Sequence, residues 1–237
     1  MSIWGHVFAA MYDRMTGKIE RAGLGEHRRA LIGQASGDVL EIGGGTGANL
    51  DYYGDGMRSL TLVEPEKPML KRLERHIEQR APWAKVLRAP AEDLPFNDAS
   101  FDVVVSTLVL CTVDDVPRAV RELHRVLRPG GRLLFIEHVR SDDPALARRQ
   151  DRMQPINVRV AHGCHPNRRT LDSIRDAGFE VTSLEHDTLK HAPKFIQPLI
   201  VGVATRRDLQ HGDQAGTATL AGTSETSSER LRTPTSS

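Results

Sequence analysis

Asp38-Val-Leu-Glu-Ile42 runs directly into Gly43-Gly-Gly-Thr-Gly47. The first segment is a short apolar run with the composition of a buried strand, and the second is a glycine-rich loop expected to open a helix. Glycines there let the backbone pass close to a ligand and present amides at a helix N-terminus. Spacing alone leaves the ligand open, because Gly43, Gly45 and Ala48 also satisfy G-x-G-x-x-G/A, the pattern of nicotinamide and flavin enzymes. Two features discriminate. Glu41 stands two residues ahead of the first glycine, where an acid can counter a ligand ammonium and would repel a pyrophosphate, and a third glycine of the pattern follows at Gly47.

Working outward, Ser59-Leu-Thr-Leu-Val63, Lys85-Val-Leu-Arg88, Asp102-Val-Val-Val-Ser106 and Arg132-Leu-Leu-Phe-Ile136 read as further strands. Helices fall between them over 66–80 and 116–127, the second with Val116, Val120, Leu123 and Leu127 on one face. Near-continuously apolar strands separated by helices imply a parallel sheet covered on both faces. A long helical segment from Ala145, a helix over 167–177 and strands over 180–189 and 199–205 follow. The link between those strands, with Pro193 and Pro198, is too short for a helical crossover, so the last pair is antiparallel. The expected fold class is α/β: a Rossmann-like, seven-stranded, mostly parallel sheet with an antiparallel last strand.

Candidate ligand groups collect on one edge of that sheet, where open α/β folds bind ligands. Glu64 ends the second strand, 23 residues after Glu41, and a carboxylate there can accept from both hydroxyls of a ribose. Ala91-Glu-Asp-Leu-Pro-Phe96 follows the third strand, with Asp93 placed to accept from an adenine amino group and Leu94 to pack on its ring. Thr107, Leu108 and Cys111 follow the fourth, and Arg125-Val-Leu-Arg-Pro-Gly-Gly131 turns into the fifth.

With 32 basic and 31 acidic residues among 237, and no basic block, bulk charge does not serve to grip nucleic acid or an anionic membrane. The longest apolar stretch, 101–113, is interrupted by Asp102, Ser106, Thr107 and Thr112 and falls short of the roughly 18 residues of a spanning helix. Residues 1–15 lack a basic leader, which together with two cysteines, Cys111 and Cys164, places the chain in the cytoplasm. The segment 208–237 carries eleven Ser/Thr and no aromatic residue, so the folded domain is expected over 1–207 with a disordered tail beyond it.

Taken together, these ordered motifs resemble a class I S-adenosylmethionine-dependent methyltransferase of the methyltransferase domain 11 type, over roughly residues 1–205. The resemblance implies that Glu41, Gly43, Gly45 and Gly47 hold the methionine end of S-adenosyl-L-methionine, Glu64 the ribose, and Asp93 with Leu94 the adenine. Thr107 joins this cofactor edge. Tyr12, in Met11-Tyr-Asp13, is similar to an aromatic residue that closes over the cofactor in relatives of quinone methyltransferases. Within the family the chain is most similar to methyltransferase-like alkyl thiol S-methyltransferases, through Val39-Leu-Glu-Ile-Gly-Gly-Gly-Thr-Gly-Ala-Asn49, 102–113, Phe135-Ile-Glu-His-Val139 and His162-Gly-Cys-His165. Gly44 replaces a cysteine often found in that loop. The N-terminal membrane anchor of animal members has no counterpart here, so their membrane location is not carried over.

The implied activity is methylation of a small molecule, with a thiol favoured. O-, N- or C-methylation of a quinone, lipid or secondary metabolite is the alternative, and an NAD-dependent oxidoreductase the remote one. No basic, aromatic-lined track or Asn-Pro-Pro-Tyr signature points to nucleic acid. His138 and His165 are the candidate general bases, although His138 reads equally as a satisfied core histidine. Cys111 reads as a small buried hydrophobe. The His162-Gly-Cys164-His165 cluster lacks a second pair with zinc-site spacing, so no metal is expected. The N-terminal helices (1–36) and the insertion 142–165 are expected to build the acceptor region. In the insertion Leu146, Met153, Ile156 and Val160 form an apolar stripe, and Pro155 is expected to kink or end its helix.

Overall fold

The computed structural model describes residues 17, 19–161 and 163–207. Tyr12, His162 and the expected tail over 208–237 lie outside the described residues. Within them, strands β1 (Gly37–Ile42), β2 (Met57–Val63), β3 (Lys85–Leu87), β4 (Phe101–Thr107), β5 (Leu127–His138), β6 (Phe179–Thr188) and β7 (Pro198–Arg206) form one seven-stranded sheet, in the order β3-β2-β1-β4-β5-β7-β6. β1 lies between β2 and β4 and is parallel to both. β3 and β5 extend the parallel set, and β7 runs antiparallel to β5 and β6, as the short proline-containing link requires. The α-helices of the described residues are α1 (Gly25–Ile32), α2 (Lys67–Arg80), α3 (Val116–Val126), α4 (Pro144–Val160) and α5 (Thr170–Asp176).

Strand composition follows from double coverage. Along β4, Val103 and Val105 pack into one core and Val104 into the other. Leu31 and Ile32 of α1 and Leu73 and Ile77 of α2 complete the first. Val116, Ala119, Val120, Leu123 and Val126 of α3, with Ile174 of α5, complete the second. Each Val, Leu or Ile among them contributes roughly 1.5–3 kcal/mol when fully buried. α3 starts where it does because the Asp115 side chain accepts from the Arg118 amide at 2.9 Å and Pro117 occupies the first turn. None of the helices is long and apolar enough to cross a membrane, among the described residues.

One local expectation is corrected. The glycine loop opens no helix: hydrogen-bonded turns follow it, with Gly47 donating to Gly44, Leu50 to Gly47 and Tyr52 to Asn49 through their backbones. Gly43, Gly45 and Gly47 have φ of +56°, +57° and +90°, a left-handed backbone through which an α-helix cannot propagate. Of the two outcomes expected at Pro155, a kink or an end, the second does not occur, and the helix continues to Val160. Both Pro155 and Asp151, whose carbonyl loses its helical donor, are exposed, so water can serve that carbonyl. The apolar stripe of α4 includes exposed residues. Ile156 and Val160 are 54% and 57% exposed, while Ala147, Gln150 and Asn157 are buried. Beneath α4 lie loop backbones that need partners. Gln150 donates to the Val139 and Pro166 carbonyls and accepts from the Ser141 amide, and Asn157 donates to the Cys164 carbonyl.

Phe135 of β5 faces Gly202 of β7 in the antiparallel register. A Cβ on Gly202 would meet the Phe135 ring at 2.5 Å and the Ser183 carbonyl oxygen at 2.6 Å, so the ring occupies the space of the missing side chain. Gly202→Ala should therefore lower stability by about 1–3 kcal/mol in urea denaturation. Gly54→Ala, whose nearest neighbour is the Gly33 carbonyl oxygen at 3.5 Å, should change it little.

Candidate functional site

The carboxyl ends of β1, β2 and β4 meet where the strand order reverses, and the glycine loop fills that junction. Its glycines have different tasks. A Cβ on Gly43 would strike Val109 at 2.6 Å and one on Gly47 would strike Leu50 at 2.8 Å, so these two are small because protein packs on them. At Gly45 a Cβ would meet only the Gly43 carbonyl oxygen at 3.8 Å, which leaves this bare backbone beside open space. Glu64, at 5% exposure, holds the loop from below: its carboxylate accepts from the Gly45 amide at 2.9 Å and from the Glu66 amide at 2.8 Å. Burial raises its pKa against those two bonds. The His76 ring of α2 meets the Thr46 carbonyl oxygen at 2.6 Å from the other side.

Glu41 lies in a closed polar cluster that the sequence did not reveal. Its carboxylate accepts from Asn49 at 2.9 Å and from the Tyr53 hydroxyl at 2.7 Å. Asn49 also donates to Thr107 Oγ1 at 3.1 Å, linking the loop to the end of β4, and accepts from Arg28. Arg28 is itself buried on α1 and donates to Glu20 at 3.0 Å. Burial drives the Glu41 pKa up to about 7, against the opposing pull of Tyr53, Arg28 and Asn49. The four-residue step from Asn49 to Tyr53 was the available signal for part of this cluster. Arg28 had none, since its partners are contributed by the fold.

The loop over 91–98 docks on α3 through two side chains not singled out from sequence. Glu122 accepts from the Leu94 amide at 2.9 Å, and Arg125 donates to the Leu94 and Phe96 carbonyls at 3.0 and 2.7 Å. This leaves Asp93 exposed and Leu94 buried among the apolar residues beneath.

After β4, Leu108 adopts φ +57°, unusual for a branched side chain, and its amide donates to the Ile136 carbonyl at 2.7 Å. The following turn is fixed by Glu137, fully buried, whose Oε1 accepts from Ser106 Oγ and from the amides of Val109 and Leu110. Burial raises its pKa. Glu137 was visible only as one letter in the quoted Phe135-Ile-Glu-His-Val139 stretch.

The two candidate bases are brought near the same turn without being brought together. His138 is 7% exposed, with Nε2 at 3.1 Å from Cys164 Sγ and Nδ1 without a partner, and burial drops its pKa to about 4. His165 contacts Gln154 through Nδ1 at 3.2 Å and donates its amide to the Cys111 carbonyl at 2.8 Å. Its pKa is lowered, by burial first and then by Arg168. Cys111 and Cys164, far apart in sequence, lie with His138 in one buried cluster.

The sequence matches the family described as Methyltransferase domain over residues 40–135. Thiol S-methyltransferase TMT1B of Homo sapiens is 37% identical over 184 residues, covering 73% of this chain and 72% of the relative. The ubiquinone/menaquinone biosynthesis C-methyltransferase UbiE of Pseudoalteromonas translucida is 30% identical, covering 77% of this chain and 84% of the relative. A crystal structure from Thermotoga maritima, described as a SAM-dependent methyltransferase and possible histamine N-methyltransferase, superposes with a TM-score of 0.64 at 25% identity. That match covers 85% of this chain and 98% of the other.

The Glu41 cluster generates a pH dependence of defined sign. With its pKa raised from the ordinary 4.5 to about 7, the folded chain holds this proton more tightly than the unfolded chain does. The resulting stability is complete below pH 4.5 and is lost as pH rises through 7. Between pH 5 and 8 the unfolding free energy of the native chain should fall relative to Glu41→Gln by on the order of 3 kcal/mol. Parallel urea titrations at several pH values check this, and identical profiles for the two proteins would contradict it.

Proposed function

The chain belongs to the S-adenosylmethionine-dependent methyltransferases and methylates a small molecule, and on that premise we propose that its acceptor is a thiol. The observation carrying the proposal is the 37% identity to a thiol S-methyltransferase over nearly three quarters of both chains. S-adenosyl-L-methionine supplies an electrophilic methyl group on a sulfonium. The residues present suit it: Gly45 offers bare backbone to open space, and buried carboxylates stand on either side of the loop.

In the proposed arrangement Gly43, Gly45 and Gly47 shape the loop around the methionine end, and Glu41 faces the ammonium. Ionised Glu41 serves that role better than the protonated form, so cofactor affinity and folding stability respond to pH in opposite directions. Glu64 keeps lone pairs beyond its two amide bonds with which to accept from ribose hydroxyls. Asp93 and Leu94 take the adenine, Thr107 closes the β4 side, and Tyr12 is the proposed aromatic cover. The segment 142–165 borders the acceptor, and the exposed Ile156 and Val160 give it an apolar outer surface suited to an apolar substrate.

Methyl transfer from a sulfonium is an in-line displacement, so the protein contributes chiefly by holding nucleophile, carbon and leaving sulfur collinear in a dry space. A thiol of pKa about 8.5 is already a few per cent ionised near neutrality and needs little help from a base. That suits a site in which His138 is buried with Nε2 against Cys164. The similarity to a quinone C-methyltransferase favours a quinone as the second reading.

A methyl-transfer screen with thiol, quinone, phenol and amine acceptors, read by product mass, tests the proposal. Transfer to thiols should dominate. Transfer to quinones alone would reject it. For the cofactor site, Gly45→Val and Glu64→Ala should each weaken S-adenosylhomocysteine binding about tenfold or more by calorimetry, and unchanged affinity in both folded variants would remove that assignment.

A further inference from the structure

Cys111 lies in the turn after β4, His138 ends β5 and Cys164 follows α4, yet one ligand atom from each lies within 4.8 Å of the other two. All three residues are buried. The cluster is tied down by backbone, since the His165 amide donates to the Cys111 carbonyl at 2.8 Å and the Cys164 amide to the Ala161 carbonyl at 3.0 Å. Arg168, donating to the Leu110 carbonyl at 2.7 Å, is the neighbouring cation.

As bare side chains this is an expensive arrangement. The imidazole Nε2 has a sulfur as its hydrogen-bond partner and Nδ1 has none, so a buried polar ring is left poorly compensated. A metal–nitrogen bond at Nε2 would replace its weak contact with sulfur by a strong one, while Nδ1 stays available for an outer partner. Bond lengths of about 2.3 Å to sulfur and 2.0–2.1 Å to nitrogen place tetrahedral ligands roughly 3.8 Å apart for two sulfurs and 3.5 Å apart for sulfur and nitrogen. The present spacing reaches those values with small side-chain movements. Two thiolates and an imidazole select a soft or borderline ion over magnesium or calcium, and with Zn2+ they form a unit of zero net charge.

We propose that Cys111, His138 and Cys164 bind one zinc ion whose fourth position is open to a thiolate. Three protein ligands and one exchangeable position is the arrangement of reactive rather than structural zinc. Binding Zn2+ releases the thiol protons of Cys111 and Cys164 to solvent, and an entering thiol loses its own proton on taking the fourth position. The metal site stands on the cluster alone, while the identity of its fourth ligand rests on the thiol reading above.

The test uses the full chain, reduced and freed of metal, titrated with zinc against a competing chelator and with cobalt(II) as a spectroscopic substitute. One ion per chain and a sulfur-to-cobalt charge-transfer band are expected. Cys111→Ser and Cys164→Ser should each weaken zinc binding by more than the 10- to 100-fold that loss of an outer partner costs. Far-ultraviolet circular dichroism and S-adenosylhomocysteine affinity should stay unchanged, which keeps a folding defect distinguishable. An alkyl thiol added to the cobalt form should shift the band where the matching alcohol does not.

No binding by the reduced chain, or equal binding by folded serine variants, would overturn the metal site. A band that ignores thiols would overturn the open position. Undiminished thiol methylation by the zinc-free chain would refute a thiolate held on zinc while leaving the thiol acceptor standing. Absence of thiol methylation by chain carrying its full complement of zinc would defeat the thiol reading with the metal site intact.

Discussion

A parallel sheet ends in loops whose amides have left the ladder and still need acceptors, and in this chain buried glutamates meet much of that need at the ligand-facing edge. Glu64 accepts from amides on the glycine loop and the start of α2, and Glu137 accepts from consecutive amides after β4. Glu41 works through side chains, joining Asn49 and Tyr53. Each stands at the carboxyl end of a strand, β1, β2 or β5, so the sheet itself sets their relative positions. Losing any one leaves donors unsatisfied in the interior, which costs more than the bond itself is worth.

Burying three carboxylates is unfavourable, and the raised pKa of each records the cost. The arrangement persists because the donors around them are fixed in advance. For Glu137 the donors are Ser106 and the amides of Val109 and Leu110, all on Oε1, while Oε2 is buried without a hydrogen-bond partner. For Glu41 and Glu64 the same property has a functional side in the proposed site. A carboxylate held by preorganised donors presents its remaining lone pairs to a ligand without reorganising, and the low dielectric strengthens each contact.

The strands and most helices were legible because their signals are local. Double burial makes Val103-Val-Val105 apolar without alternation, and caps such as Asp115 with Pro117 mark helix starts within a few residues. The edge was legible in outline for the same reason: Glu41, Glu64 and the glycines occur at fixed offsets from strand ends. What could not be read depends on tertiary placement. Arg28 meets Asn49 from a separate helix, and Glu122 with Arg125 clamp a loop nearly thirty residues away. The polar inner face of α4 was not legible, since it packs on loop carbonyls and amides that need partners. Gln150 and Asn157 therefore point inward while Ile156 and Val160 face out, inverting the usual pattern.

Along the edge, chemistry changes with strand position. The ends of β1, β2 and β3 carry glycine, carboxylate and the docked 91–98 loop, groups suited to a cationic, hydroxyl-rich and aromatic ligand. The ends of β4 and β5, with the turn after α4, carry sulfur and imidazole. A methyl donor and a nucleophile ask for opposite surroundings: the donor's positive charge is favoured by nearby carboxylates, whereas an anionic acceptor would be repelled by them. Glu137 at the end of β5 has its Oε1 engaged by neutral donors and its pKa raised by burial, which limits the negative charge it presents toward the proposed acceptor side. The half-buried Arg168 guanidinium beside Leu110 supplies the opposite sign there. In the proposed arrangement carboxylates thus stand on the donor side and sulfur, imidazole and Arg168 on the acceptor side, which favours an acceptor arriving as an anion.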